Sequence, residues 1–78
     1  RLARDPNDHE ARYDLALALY AGGHADGAIQ HLLEIVKRGR TWNEEAARKE
    51  LLKIFEALGP TNESTVKGRR GLSVILFS

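Results

Sequence analysis

The sequence predicts an all-α fold, with four helices arranged as two antiparallel hairpins. Three observations lead there. A Gly22-Gly23 break divides the apolar stretch from Leu15 to Leu32 into two segments, with small residues where a pair of helices would touch. A second stop-and-restart signal follows at Gly59-Pro60-Thr61-Asn62. The one strongly β-prone run, Val74-Ile75-Leu76-Phe77, has no partner strand elsewhere in the chain, so it reads as the end of a helix.

The first helix is expected over residues 8–21. Asp5-Pro6-Asn7-Asp8 is a turn sequence in which Asn7 or Asp8 can cap it, and Asp8 and Glu10 suit its positive end. Ala11, Leu15, Ala16 and Leu19 form the main apolar stripe, widened by Leu17, Ala18 and Tyr20. So broad a face predicts contact on two sides, as in an internal layer of stacked helices. Gly22-Gly23 ends the helix, with one glycine in the left-handed region. The second helix is expected over 24–38, with Ala28, Ile29, Leu32, Leu33, Ile35 and Val36 as its apolar surface. Lys37 and Arg38 suit its negative end and Gly39 stops it.

Gly39-Arg40-Thr41-Trp42 reads as a linker to a third helix over 43–58, capped by Asn43, with Glu44 and Glu45 in the first turn. Trp42 stands in the staple position and is expected to pack back near Ala46 or Ala47. Ala47, Leu51, Ile54, Phe55 and Leu58 make the apolar face. Glu45 and Lys49 form a favourable i,i+4 pair, Lys49 and Lys53 an unfavourable one. A fourth helix is expected over 62–77, capped by Thr61 or Asn62. Gly68 and Gly71 should weaken it.

Composition narrows the function classes. The chain has 78 residues, enough for one small domain. At 42% hydrophobic it can form a packed core and is not generally disordered. Twelve basic against 11 acidic residues give a net charge of +1, which supplies no global pull toward nucleic acid or an anionic membrane. No apolar run approaches the roughly 20 residues that span a bilayer. The start, Arg1-Leu2-Ala3-Arg4, lacks the apolar stretch of a leader, and the absence of an initial Met is expected of a piece of a longer protein. With no cysteine, disulfides and thiolate chemistry are excluded, which fits a cytoplasmic location.

Counted from His9, Leu15-Ala16, Leu19, Gly23, Ala28 and Leu32 fall on the large-small pair, the buried site, the turn, the close-packing alanine and the following apolar site of a 34-residue tetratricopeptide unit. Arg12 stands at the first aromatic position, with Tyr13 one place away, and Arg40 stands where the terminal proline is usual. A second unit from Glu45 keeps Leu51, Phe55 and Gly59 but has Leu52 for the small residue and Ser64 for the alanine. The phrase from Asp8 to Ala16, then Gly39-Arg40-Thr41-Trp42-Asn43 and Gly68-Arg69-Arg70-Gly71-Leu72-Ser73, resembles the C-terminal tetratricopeptide-like region of bacterial thioredoxin-like chaperones, the chaperedoxin group. That resemblance implies a right-handed stack of hairpins behind an N-terminal thioredoxin-fold domain. It also implies a bacterial cytoplasmic holdase that binds unfolded clients and passes them to a GroEL-type chaperonin.

The residues offer no chemistry of their own. His9, His24 and His31 are too dispersed for a metal motif; His24 and His31 would lie about 10 Å apart along a helix. No nucleophile–base pair stands out around Ser64 or Ser73, and no cofactor is implied. The candidate protein-binding residues are Tyr13, Tyr20, Lys67, Arg69, Arg70, Ile75 and Phe77. Tyr13 and Tyr20, seven apart, share a face that either lines a groove or seals against a preceding domain. Lys67, Arg69 and Arg70 either form a solvated face with intramolecular pairs or meet an acidic protein surface. The segment from Leu72 to Phe77 reads as core, or as an apolar end that captures a partner if its last turn undocks. A non-catalytic protein-interaction module is the leading functional expectation. The alternative is a structural role, as a homo-dimerisation or spacer domain.

Overall fold

Asp8 starts the first helix: its side chain accepts a hydrogen bond from the Ala11 amide at 3.0 Å and so satisfies one of the donors that a helix start leaves open. A computed structural model describes residues 4–77; residues 1–3 and 78, and with them most of the polar start, lie outside the described residues. The elements are α1 (His9–Ala21), α2 (Ala25–Arg38), α3 (Ala46–Leu58) and α4 (Glu63–Leu76), with no strand among the described residues. The expected all-α, four-helix architecture holds.

Gly23, at φ +86°, turns the chain between α1 and α2, and the His24 amide closes the turn on the Leu19 carbonyl at 2.8 Å. Ala16 and Ala28 are both fully buried, so the two helices meet on their small residues as expected. Among the described residues the broad α1 stripe is covered on one side only. Helix α1 packs principally on α2, and Leu15 and Leu17 face outward. Its phase is set by Ala16, with Tyr13, Leu19 and Tyr20 half-buried to either side. Among the described residues, α1 thus keeps an apolar back uncovered.

Helix α2 is the centre of the molecule. All six of its expected apolar residues are buried, and it packs against each of the other three helices. Burial of a side chain such as Ile29 or Leu32 contributes about 1.5–3 kcal/mol, so this one helix carries much of the core.

Helix α3 starts three residues later than Asn43. Asn43, Glu44 and Glu45 form a left-handed turn, with φ of 48°, 54° and 61°, and the Ala46 amide donates to the Asn43 carbonyl at 3.1 Å. Asn43 therefore cannot act as the cap, because a cap needs an extended backbone with its side chain over the next turn. The Glu45 carboxylate sits 4.0 Å from Arg48, not at Lys49. The expected face of α3 is otherwise present: Ala47, Leu51, Ile54 and Phe55 are buried, and Leu58 packs at the edge of the core.

Asn62 caps α4 by accepting from the Ser64 amide at 2.8 Å. Gly68 and Gly71 have a use that propensity does not reveal. A Cβ on Gly68 would lie 2.5 and 2.8 Å from ring carbons of Phe55 and 3.1 Å from Ile29; one on Gly71 would lie 3.0 Å from Leu33. These glycines let α4 settle onto α2 and α3. Thr65 is fully buried in the same contact, and its hydroxyl has no hydrogen-bond partner among the described residues.

Two stability measurements follow from this packing. Gly68→Ala should destabilise the fold by up to about 2 kcal/mol in urea unfolding, because overpacking against Phe55 exceeds the ~1 kcal/mol gain in helix propensity; Gly71→Ala should cost less. In the left-handed turn, Glu44→Gly should raise stability by about 1 kcal/mol, since the side chain opposes positive φ. An unchanged or lower unfolding midpoint would show that Glu44 makes a compensating contact.

Candidate protein-binding surface

The outward stripe of α4 is built by helical spacing. Val66, Arg70, Val74 and Phe77 stand at i, i+4, i+8 and i+11, on the side away from Gly68 and Leu72. Val66, Val74 and Phe77 are 44%, 64% and 85% exposed. The expectation that the segment from Leu72 to Phe77 is core is thus corrected in part. Leu72 is buried and Ile75 and Leu76 pack at the core edge, but Val74 and Phe77 fall on the opposite arc of the helix.

The three cations of this helix have different surroundings. Lys67 donates to Glu63 at 2.9 Å, and that hydrogen bond raises its pKa. The Arg69 guanidinium lies 5.9 Å from the Phe55 ring centroid, within cation–π range. Arg70 is exposed, with no ion pair among the described residues. Beside the stripe, Val36, Lys37, Arg40, Val74 and Ile75 line an open cleft of about 470 Å³. Arg40 donates from Nη2 to the Ile75 carbonyl at 3.3 Å, near the C-terminal end of α4. Sequence alone gives Lys37 only a role in compensating the α2 dipole; the spacing of Val66, Val74 and Phe77 is the signal that could have pointed to this region. Arg38 faces away, bonded to Glu34 at 3.0 Å and Asn7 at 3.1 Å.

The aromatic residues cluster elsewhere. Trp42, expected as a staple on α3, makes its ring contacts with α1. Its ring packs edge-on to His9 at 6.0 Å and tilted to Tyr13 at 5.5 Å, so it ties the linker to α1. Gly39 completes the clasp, since a Cβ there would sit 2.6 Å from His9 Nε2. Tyr13, with Trp42, Glu10, Asp14 and Asn43, also lines an open depression of about 550 Å³. Burial raises the Tyr13 pKa, and the charges of Glu50 and Asp14 add to that. Tyr20 lies half-buried against the core.

The histidines are dispersed. His24 is the exposed N-cap position of α2, His9 belongs to the aromatic clasp, and His31 Nδ1 lies 3.3 Å from Arg12 Nη1. Among the described residues no three His, Asp or Glu side chains gather around a cation-sized site. No helix among them is long and apolar enough to cross a membrane.

Residues 1–77 match the tetratricopeptide repeat family. The chain belongs to the tetratricopeptide repeat family. No curated protein and no solved structure matches it. A tetratricopeptide repeat domain is a stack of helical hairpins that presents surface rather than a reaction centre, and the features of this one are apolar stripes, an aromatic clasp and a cation-rimmed cleft.

The burial of His31, beside Arg12, predicts a pH dependence of stability. Burial lowers the His31 pKa below 6.5, Arg12 lowers it further and Glu34 opposes. The unfolded chain therefore binds this proton more readily than the folded one. The contribution of neutral His31 is fully present above its ordinary pKa and is lost as pH falls through 6.5 toward the lower folded value. Melting temperature should decline across that window, and His31→Gln should flatten the decline relative to the parent. Equal slopes for the two proteins would exclude His31 as the cause.

Proposed function

We propose that this tetratricopeptide repeat domain is the non-catalytic protein-binding module of a thioredoxin-like holdase. It takes up apolar segments of unfolded clients in the bacterial cytoplasm and presents them to a GroEL-type chaperonin, behind an N-terminal thioredoxin-fold domain. The observation that carries the reading is the exposure of Val74 and Phe77 beside a cleft floored by Val36 and Ile75. Contiguous apolar surface of this kind is retained against the cost of exposing it when it meets a partner. Lys37 and Arg40 line the cleft and Arg70 stands on the α4 stripe, favouring segments in which apolar residues neighbour acidic ones. Lys67 and Arg69 add to the same positive field while holding Glu63 and Phe55. Tyr13 and Tyr20, on α1, form a second and more polar contact region for the same clients. The resemblance of the Asp8–Ala16 and Gly68–Ser73 phrases to the chaperedoxin group supplies the holdase setting.

The test is suppression of client aggregation. The chain, mixed in stoichiometric amounts with a protein unfolding on reduction, should slow the rise in light scattering. Val74→Asp combined with Phe77→Ser should require about fivefold more protein for the same effect, with unchanged helicity. Absence of suppression, or full suppression by the double variant, would overturn the assignment.

A further inference from the structure

The aromatic clasp between α1 and the linker forms a corner with an open side. The Tyr13 and Trp42 ring centroids are 5.5 Å apart with their planes at 57°, and both residues line the open depression of about 550 Å³. The His9 ring, 6.0 Å from Trp42 and seated over Gly39, holds the indole in place, so the corner is preformed. Its polar surroundings favour a cation. Asp14, on α1, lines the depression, is exposed, and makes no ion pair among the described residues. Asn43 offers a carboxamide from the left-handed turn, where its φ is 48°. Glu10 also lines the depression but is already engaged, so the charge open to a ligand is that of Asp14. The two charges that act on the Tyr13 hydroxyl, Glu50 and Asp14, are both negative, and they add to the burial that raises its pKa. Glu50 is itself paired with Lys53 at 3.9 Å. The neighbouring cation, Arg12, is turned to His31 and the Pro6 carbonyl.

We propose that the Tyr13–Trp42 corner, with Asp14 at its edge, binds a guanidinium cation, carried by an arginine side chain of a protein or by a small guanidine. Aromatic rings attract a cation to their faces, Trp most strongly. The other groups decide which cation. A quaternary ammonium makes no hydrogen bonds and has to be enclosed by rings; two rings enclose one corner only, and the Asp14 carboxylate and Asn43 carboxamide would have nothing to accept. A lysine ammonium can donate to them, but it is strongly hydrated and has no flat face to lay on a ring. A guanidinium does both: its plane stacks on an aromatic face while its N–H groups donate to a carboxylate. This inference goes beyond the holdase reading and does not rest on it. It needs no unfolded client, and the corner shares no residue with the cleft beside α4.

Trp42 is the single tryptophan of the chain, so its fluorescence reports on the corner directly. An acetylated and amidated glycine–arginine–glycine peptide, titrated at constant ionic strength, should change that fluorescence with a Kd of about 1–10 mM. The same peptide with neutral citrulline in place of arginine should bind about tenfold more weakly. Tetramethylammonium should also bind more weakly than the arginine peptide. Asp14→Asn should weaken the arginine peptide about fivefold, and Tyr13→Leu about threefold. Asp14 is exposed, so its replacement leaves the packing intact and keeps the test decisive even where Tyr13→Leu loses helicity. Arg70→Gln, on α4, should change nothing. Methylguanidinium separates the two sources: an affinity about fivefold below that of the peptide supports a protein arginine, and an equal affinity supports a small guanidine. Equal binding of the citrulline peptide, tighter binding of tetramethylammonium, an unchanged affinity in Asp14→Asn, or no response of Trp42 up to about 50 mM peptide would each overturn the proposal. The titration contains no client, so its failure would leave the holdase reading standing.

Discussion

The fold depends on how closely α4 approaches α2. Helix α2 can touch three neighbours only if one of them gives up side-chain volume, and α4 does so at Gly68 and Gly71. Phe55 fills the space over Gly68 from α3, so one glycine sets the separation of three helices. The helical propensity lost there, about 1 kcal/mol for each glycine, is offset by the burial of Phe55, Ile29 and Leu33 that the approach permits. The orphan hydroxyl of Thr65, in the same contact, shows how tightly the residues are drawn together: burying it unpaired costs about 1–3 kcal/mol, yet the packing around it persists.

The joint between the hairpins obeys a different constraint. The linker must carry the chain from the end of α2 to the start of α3 while holding Trp42 against α1. Gly39 makes room for the His9 ring, and Trp42 meets His9 and Tyr13. The chain then has little length left in which to turn into α3, and the left-handed run Asn43-Glu44-Glu45 is the consequence. The backbone strain there, about 1–2 kcal/mol per residue, is set against three aromatic rings in contact. The clasp thus fixes one hairpin on the other from the outside, as Gly68 does from the inside.

What could be read from the sequence divides along the same line. Helix number, the α1–α2 turn, all six buried residues of α2 and, to within one residue, the caps at Asp8 and Asn62 were legible, because caps, glycine turns and apolar spacing are local signals. The start of α3 was not, since Asn43 followed by two glutamates has the local appearance of a cap and only the distant rings of His9 and Tyr13 override it. The outward turn of Leu15 was hidden for a related reason. Helix α1 is apolar almost all round, so its phase is chosen by the partner and not by its own pattern. The glycines of α4 read as weakness because the helix they approach lies some 40 residues away in the chain. For the candidate surface, Phe77, Ile75 and Arg70 were visible as an apolar, basic end, whereas Lys37 and Arg40 join them only through the fold.

Among the described residues α1 and α4 flank the two hairpins, and the candidate surface lies along α4. Each hairpin buries one side against its neighbour, and the outermost helices keep a side that the fold does not use. In a long solenoid the end helices can be made polar with little effect on the whole. In these two hairpins the apolar residues that hold α1 and α4 to α2 share a helix with those that face outward. Polar replacement of Leu15 or Val74 would leave the inner packing intact, since neither is buried. Their apolar character is therefore not explained by the packing among the described residues, and it fits contacts with something outside them.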